Sequence, residues 1–97
     1  VIAQFAQSRI EHFITLARAR AIENQIFICA VNGCGDTGQS ESFGENSMLI
    51  NPGGEIVARL GKKEAVKIAR ANLDEILKFR AKMDILKDMK PEIYKEF

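Results

Sequence analysis

Ala17-Arg18-Ala19-Arg20-Ala21-Ile22-Glu23-Asn24-Gln25-Ile26-Phe27-Ile28-Cys29-Ala30-Val31-Asn32 decides the fold, because a charged helix runs in it almost without a break into an apolar strand. Upstream, Ile10, Phe13, Ile14, Ala17 and Ala21 recur at the i, i+3, i+4, i+7 spacing of one helix face. Downstream, Ile26 to Val31 is a continuous apolar run rich in β-branched residues, which suits a strand covered on both faces. A helix feeding such a strand predicts an α/β layered domain.

Working outward toward the start, Val1 to Phe5 reads as a short strand, and the chain opens inside it without an initiator Met, as a fragment would. Ser8-Arg9-Ile10-Glu11 spells a capping box, with the helix starting there and running to about Gln25. Toward the end, Asn32 to Asn46 is rich in Gly, Asp, Ser, Thr and Glu and reads as a surface loop. Ser47 to Ile50 and Glu55 to Ala58 flank Asn51-Pro52-Gly53-Gly54, which predicts a β-hairpin with a type II turn. In Glu64 to Met83, Val66 and Ile68 alternate with Lys67 and Ala69 as a half-buried or edge strand would. Asn72 then caps a helix over Leu73 to Met83, with Leu73, Ile76, Leu77 and Arg80 on one face and Phe79 beside it. The tail, residues 84–97, is Lys- and Asp-rich, with Pro91 stopping any helix that reaches it. Its Ile85, Leu86, Ile93 and Tyr94 are placed to lie on another surface or subunit.

A chain of 97 residues forms at most one domain. With 46% hydrophobic and 28% charged residues it fits neither a disordered nor a membrane class. A formal net charge of +1 gives no pull toward nucleic acid or anionic lipid. No apolar run nears the roughly 20 residues of a membrane span, and the start lacks a signal peptide's pattern, so the reading is cytoplasmic, with no membrane partner.

Gly33-Cys34-Gly35-Asp36-Thr37-Gly38 spells the dinucleotide fingerprint, but Gln39 to Gly44 lacks the periodicity of the helix that would hold a pyrophosphate, so the match is accidental. Cys29 reads as a core cysteine and Cys34 as a loop cysteine; their spacing allows a disulfide, and the reading preferred is two reduced thiols. The single histidine, His12, sits on the helix, so neither thiol gains an evident base, and one His with two Cys lacks zinc-ligand spacing. No metal or cofactor is called for. Glu23 and Asn24 read as hydrogen-bonding groups at the helix end, and Arg18 and Arg20 as a solvated or partner-facing stripe.

Arg18-Ala19-Arg20-Ala21-Ile22-Glu23-Asn24-Gln25, the strand ending in Asn32, Ser47-Met48-Leu49-Ile50-Asn51-Pro52-Gly53-Gly54-Glu55 and Leu86-Lys87-Asp88-Met89-Lys90-Pro91-Glu92-Ile93-Tyr94 together resemble the C-terminal portion of the nitrilase superfamily, the carbon–nitrogen hydrolases. The residues that carry the likeness are Arg18, Arg20, Glu23, Asn24, Asn32, Ser47, Pro52 and Gly54. The resemblance implies that residues 1–97 are the C-terminal portion of one domain, an α-β-β-α sandwich with a mixed sheet, whose helices pair across a homodimer or higher homo-oligomer. It implies a thiol mechanism at small amides, nitriles or carbamoyl groups, using a Glu base, a Lys and a Cys nucleophile, all upstream of the matched segment. Neither Cys29 nor Cys34 aligns with that nucleophile, so no catalytic residue carries over and the isolated chain is expected to be inactive. Gln4, Phe5 and Ala6 are the candidate pocket wall. The sequence departs from the family pattern at Glu45, usually Gly, at Asp84, commonly Pro, and at Met89-Lys90, usually an Arg pair. The alternative reading is a non-catalytic α/β interaction or assembly module.

Overall fold

The apolar stripe of the first helix does what its spacing predicts. In a computed structural model, which describes residues 1–39 and 41–95, α1 spans Ile10–Asn24 and buries Ile10, Phe13, Ala17 and Ala21. A short strand, β1 (Ile2–Ala3), precedes it and β2 (Ile28–Asn32) follows it. The two strands pair in parallel, Ile2 opposite Val31 and Ala3 opposite Asn32, with α1 as the crossover such pairs require.

The helix starts later than its capping box suggests. Gln7–Arg9 forms a 3-10 turn, Arg9 precedes the helix without a side-chain cap, and the Ser8 N–H donates instead to Glu41 Oε1 at 3.2 Å. Ser8 lies inside the turn rather than one residue ahead of the helix, so the reciprocal bond with Glu11 has no place to form.

After β2 comes a small separate hairpin, β3 (Asp36–Gln39) with β4 (Glu41–Ser42), within the segment read as a loop. β5 (Met48–Ile50) then pairs antiparallel with β2, and β6 (Ile56–Arg59) pairs antiparallel with β5. The main sheet is therefore mixed, in the order β1-β2-β5-β6. α1 covers one of its faces, where Ala30, Met48 and Ile50 meet the buried stripe and Ala3, Phe5, Ile14, Ile28 and Ile56 ring the core.

The other face is open, contrary to the expectation of a doubly covered strand. Ile2 is 90% and Val31 44% exposed, and Cys29 is an exposed thiol, not a core one. The apolar run supplies both faces of β2, but α1 covers the one bearing Ile28, Ala30 and Asn32. Residues 60–73 run irregularly over part of the open face, where Cys29, Leu49, Ala58, Lys67, Ala69 and Ala71 line a groove of about 300 Å³.

The Asn51–Gly54 hairpin forms as read, but its turn differs. Gly54 carries the positive φ of 83° and Gly53 does not, which rules out type II. Asn51 sets this geometry: its carbonyl accepts the Gly54 N–H at 2.9 Å, while its side-chain oxygen accepts the N–H groups of Gly53 and Glu55 at 3.0 Å each. Gly54 is also packed so closely that an added Cβ would lie 2.6 Å from Ile22 Cδ1.

Val66 and Ile68 form no strand; each is 95% exposed and neither pairs with the main sheet, although the Lys67 ammonium between them donates to the Arg59 carbonyl at 3.1 Å. α2 (Asp74–Lys82) follows, and Asn72 does serve its start, accepting the Asp74 N–H at 3.1 Å. Its inward side is Ile76, Phe79 and Arg80, whereas Leu73 and Leu77 point outward. In the tail, Asp84 Oδ1 accepts the Lys87 N–H at 3.3 Å over a 3-10 turn (Ile85–Asp88), and Pro91 opens a short α3 (Pro91–Tyr94). Ile85, Leu86, Ile93 and Tyr94 stay substantially exposed, while Glu96 and Phe97, also part of the tail reading, lie outside the described residues. Among the described residues no helix is long and apolar enough to cross a membrane.

Candidate functional site

Because β1 and β2 are parallel, their carboxyl ends emerge side by side, the edge at which α/β sheets hold ligands. Gln4–Ala6 leaves one strand there and Asn32–Gly35 the other. Asn32, 8% exposed, joins them. Its Oδ1 accepts the Phe5 N–H at 2.7 Å, and its Nδ2 donates to the Phe5 carbonyl at 3.1 Å and to the Glu45 carbonyl at 2.9 Å. One side-chain amide thus continues the strand ladder where the backbone has stopped pairing. Ser47 closes the same knot: its Oγ accepts the Asn32 N–H at 3.0 Å and donates to the Asn32 carbonyl at 3.3 Å.

Opposite Asn32, Glu45 and Asn46 both take left-handed backbone, with φ of 57° and 63°. Two consecutive non-glycine residues in this region store strain and need external bracing. Asn32 braces the first, and Arg59 braces the second, its Nε donating to Asn46 Oδ1 at 2.7 Å and its Nη2 donating to the same oxygen. Two cavities open against this step: one of about 200 Å³ touched by Asn32, Cys34, Glu45, Lys63 and Glu64, and one of about 370 Å³ touched by Gln7, Asn46, Arg59 and Lys62.

This edge offers polar and charged groups of both signs, suited to holding a small polar molecule. Cys34 is half-buried at the cavity, Cys29 lies on the sheet face opposite α1, and His12 is exposed on α1, so the sheet separates His12 from Cys29. Both cysteines are unpaired, and the described residues contain no group of three or more His, Cys, Asp or Glu that could hold a metal ion. The Gly33–Gly38 fingerprint opens no helix. Gly35, just before β3, and Gly38, within it, adopt positive φ, and Asp36 Oδ1 accepts the Gly38 N–H at 2.9 Å.

That hairpin is tied back to the N-terminal turn by Glu41. Hydrogen bonds from the Ser8 hydroxyl and backbone N–H, aided by the charge of Arg9, hold the Glu41 carboxyl below its ordinary range.

The structure separates the residues read as candidate wall. Gln4 is exposed, Phe5 packs against Phe13 with tilted rings whose centroids are 5.3 Å apart, and Ala6 bridges to Phe43. None of the three touches either cavity.

The helix motif divides its labour at the far end of α1. Arg18 is exposed, as a stripe residue would be, and its Nε also donates to the Gly54 carbonyl at 2.7 Å, pinning the hairpin turn in which Pro52 is buried. Arg20 pairs with Glu23 at the surface, and Asn24 Nδ2 donates to the Arg20 carbonyl at 3.0 Å. Gln25 is the functional junction that sequence reasoning passes over. It takes φ 52° as a left-handed cap, is 6% exposed, donates to the Met83 carbonyl at 2.5 Å and accepts the Ile85 N–H at 3.3 Å. The available signal was the second of two adjacent amides, Asn24 and Gln25, set between a helix and an apolar strand. Asn46 and Arg59 gave no comparable signal, since either fits a solvated loop or strand end.

Comparison with known proteins bears on this geometry. A family model described as carbon-nitrogen hydrolase matches residues 6–81. The chain is 35% identical over 94 residues to the hydrolase in the agr operon of Staphylococcus aureus, covering 97% of this chain and 36% of that protein. To a 2-oxoglutaramate amidase of Paenarthrobacter nicotinovorans it is 38% identical over 87 residues, covering 90% and 29% respectively. Among solved structures, it superposes on the NitFhit protein of C. elegans with a TM-score of 0.83 at 26% identity, covering 95% of this chain and 22% of that one. A CN-hydrolase superfamily protein of Xanthomonas campestris gives a TM-score of 0.81 at 27% identity, with 90% and 33% covered. The chain spans about a third of the length of the curated relatives it matches.

Proposed function

Because this chain belongs to the carbon–nitrogen hydrolase family, with its mixed sheet and helices forming part of the nitrilase-like sandwich, we propose that it serves an amidase-type enzyme that cleaves non-peptide C–N bonds of small amides or nitriles. In this reading the chain supplies the carboxyl edge described above, and Gln4, Phe5 and Ala6 form one wall of the substrate pocket in the assembled domain. The nucleophilic thiol, the base and the oxyanion-stabilising lysine come from outside residues 1–97.

One observation carries the reading: the carbon–nitrogen hydrolase family match runs over residues 6–81, most of the chain. A thiol attacks an amide only when a base, cation or helix N-terminus generates the thiolate, and in this reading that arrangement belongs to the family's own Glu, Lys and Cys rather than to Cys29 or Cys34. The test is hydrolysis of small amides and nitriles by the 97-residue chain and by the parent protein that contains it. The parent turns over amides and the chain alone does not; turnover by the chain that survives alkylation of Cys29 and Cys34 refutes the division of labour.

The reading extends to assembly and compartment. The open sheet face, with Ile2, Val31 and Cys29, supports self-association into a homodimer or larger homo-oligomer. Two unpaired thiols suit the reducing cytoplasm. A monomer in sedimentation velocity at tens of micromolar would remove the first of these.

A further inference from the structure

We infer that Asn32 is a positioning residue, whose side-chain amide locks segment 4–6 and the left-handed step at Glu45–Asn46 into one rigid unit and so governs substrate binding rather than bond cleavage. The inference rests on the amidase reading above for its functional consequence, and on the following geometry for its substance.

Every polar atom of the Asn32 amide is committed. Oδ1 takes the Phe5 N–H, and Nδ2 spends its two protons on the carbonyls of Phe5 and Glu45. Both backbone groups of Phe5 are thereby read by a single side chain, and the same side chain reaches the strained step across the edge. Independent contacts run in parallel to this one. The Gly44 N–H donates to the Phe5 carbonyl at 2.8 Å, and the Glu45 N–H donates to the Gly33 carbonyl at 3.2 Å. The knot therefore spans the ends of β1 and β2 and the approach to β5, three segments that otherwise meet through few backbone pairs. Glu45 in left-handed backbone will relax when its brace is removed, and relaxation there displaces the lining of both cavities. Displacing a wall by a fraction of an ångström weakens the fit of bound substrate while leaving groups from outside this chain in place to do chemistry.

Asn32→Asp separates the roles of the amide. The ionised carboxylate still accepts from Phe5 N–H but confronts the two carbonyls without a proton to give; the protonated acid donates to one of them. In the parent enzyme at pH 7, N32D is expected to raise KM for small amides tenfold or more with kcat changed less than threefold. The KM defect shrinks as pH is lowered and the acid forms, whereas wild-type KM does not follow that profile. Arg20→Ala, which removes a surface ion pair, leaves both constants unchanged. Wild-type constants in N32D, or a kcat loss as large as the KM loss, overturns the inference. If N32D fails to fold, Asn32→Ala is followed by amide hydrogen exchange. Loss of protection at Phe5, Gly44 and Glu45 together supports a single unit, and loss at Phe5 alone overturns it. A wild-type parent inert toward amides and nitriles would remove the functional reading instead, and the exchange measurement then decides the coupling alone.

Discussion

The two faces of the main sheet carry equally apolar side chains and differ in what covers them. Toward α1, Ala30, Met48 and Ile50 are buried against Phe13, Ala17 and Ala21. On the reverse, Val31 and Ile2 meet solvent, and Cys29 shares a shallow groove with Leu49, Ala58 and residues from the 60–73 segment. β2 contributes to both faces from a single apolar run. Among the described residues α1 packs on one of these faces and the 60–73 segment on only part of the other, so the same residue type contributes very different amounts to stability according to the face it occupies.

The sharpest way to break that comparison is a pair of truncations. Ile50→Ala, on the covered face and fully buried, should cost about 3 kcal/mol in urea unfolding, from lost transfer energy and the cavity left behind. Val31→Ala, one strand away on the open face, should stay within about 0.5 kcal/mol. Equal costs would show that the open face is covered after all. The turn that anchors the covered side comes next. Gly54→Ala forces a side chain onto φ 83° and into Ile22, so a loss of about 2 kcal/mol is expected in the same assay.

A gain should appear at the carboxyl edge. Glu45→Gly removes a side chain from φ 57° and should raise stability by about 1 kcal/mol, an increase detectable as a higher thermal midpoint. The smallest effect belongs to Glu41. Its carboxyl is held below its usual range when folded, so it contributes stability above the unfolded carboxylate range that is lost as pH falls through its folded value. Glu41→Gln should flatten that acid limb of the stability profile and leave neutral-pH stability slightly reduced.

What could be read directly from the chain follows local physics. The Ile10–Ala21 stripe and the Asn51–Gly54 hairpin are legible because helix periodicity and turn chemistry depend on neighbours within a few residues. Misreadings arose where a distant partner decided the outcome. Ser8 has the right spacing to pair with Glu11, yet Glu41, 33 positions away, takes its N–H. Arg18 reads as a surface charge and is exposed, but its bond to the Gly54 carbonyl, 36 positions away, leaves no trace in the chain. Val66 and Ile68 alternate correctly but meet no ladder. At the carboxyl edge, Asn32 and Ser47 stood out through family likeness, whereas the left-handed step at Asn46 and its brace from Arg59 depend on close approach of β6 and leave no pattern in the chain.

The Gln25 clamp has a consequence for the order of events in folding. Its partners, Met83 and Ile85, lie 58 and 60 positions further along the chain. In synthesis from the N-terminus, α1 and both hairpins emerge before either partner exists. Closing so long a loop carries an entropic cost that a pair of hydrogen bonds offsets only once the sheet has brought α1 and the tail close together. Gln25 is thus a latch set early and engaged last, and the tail docks by finding an amide that has been held in place for it.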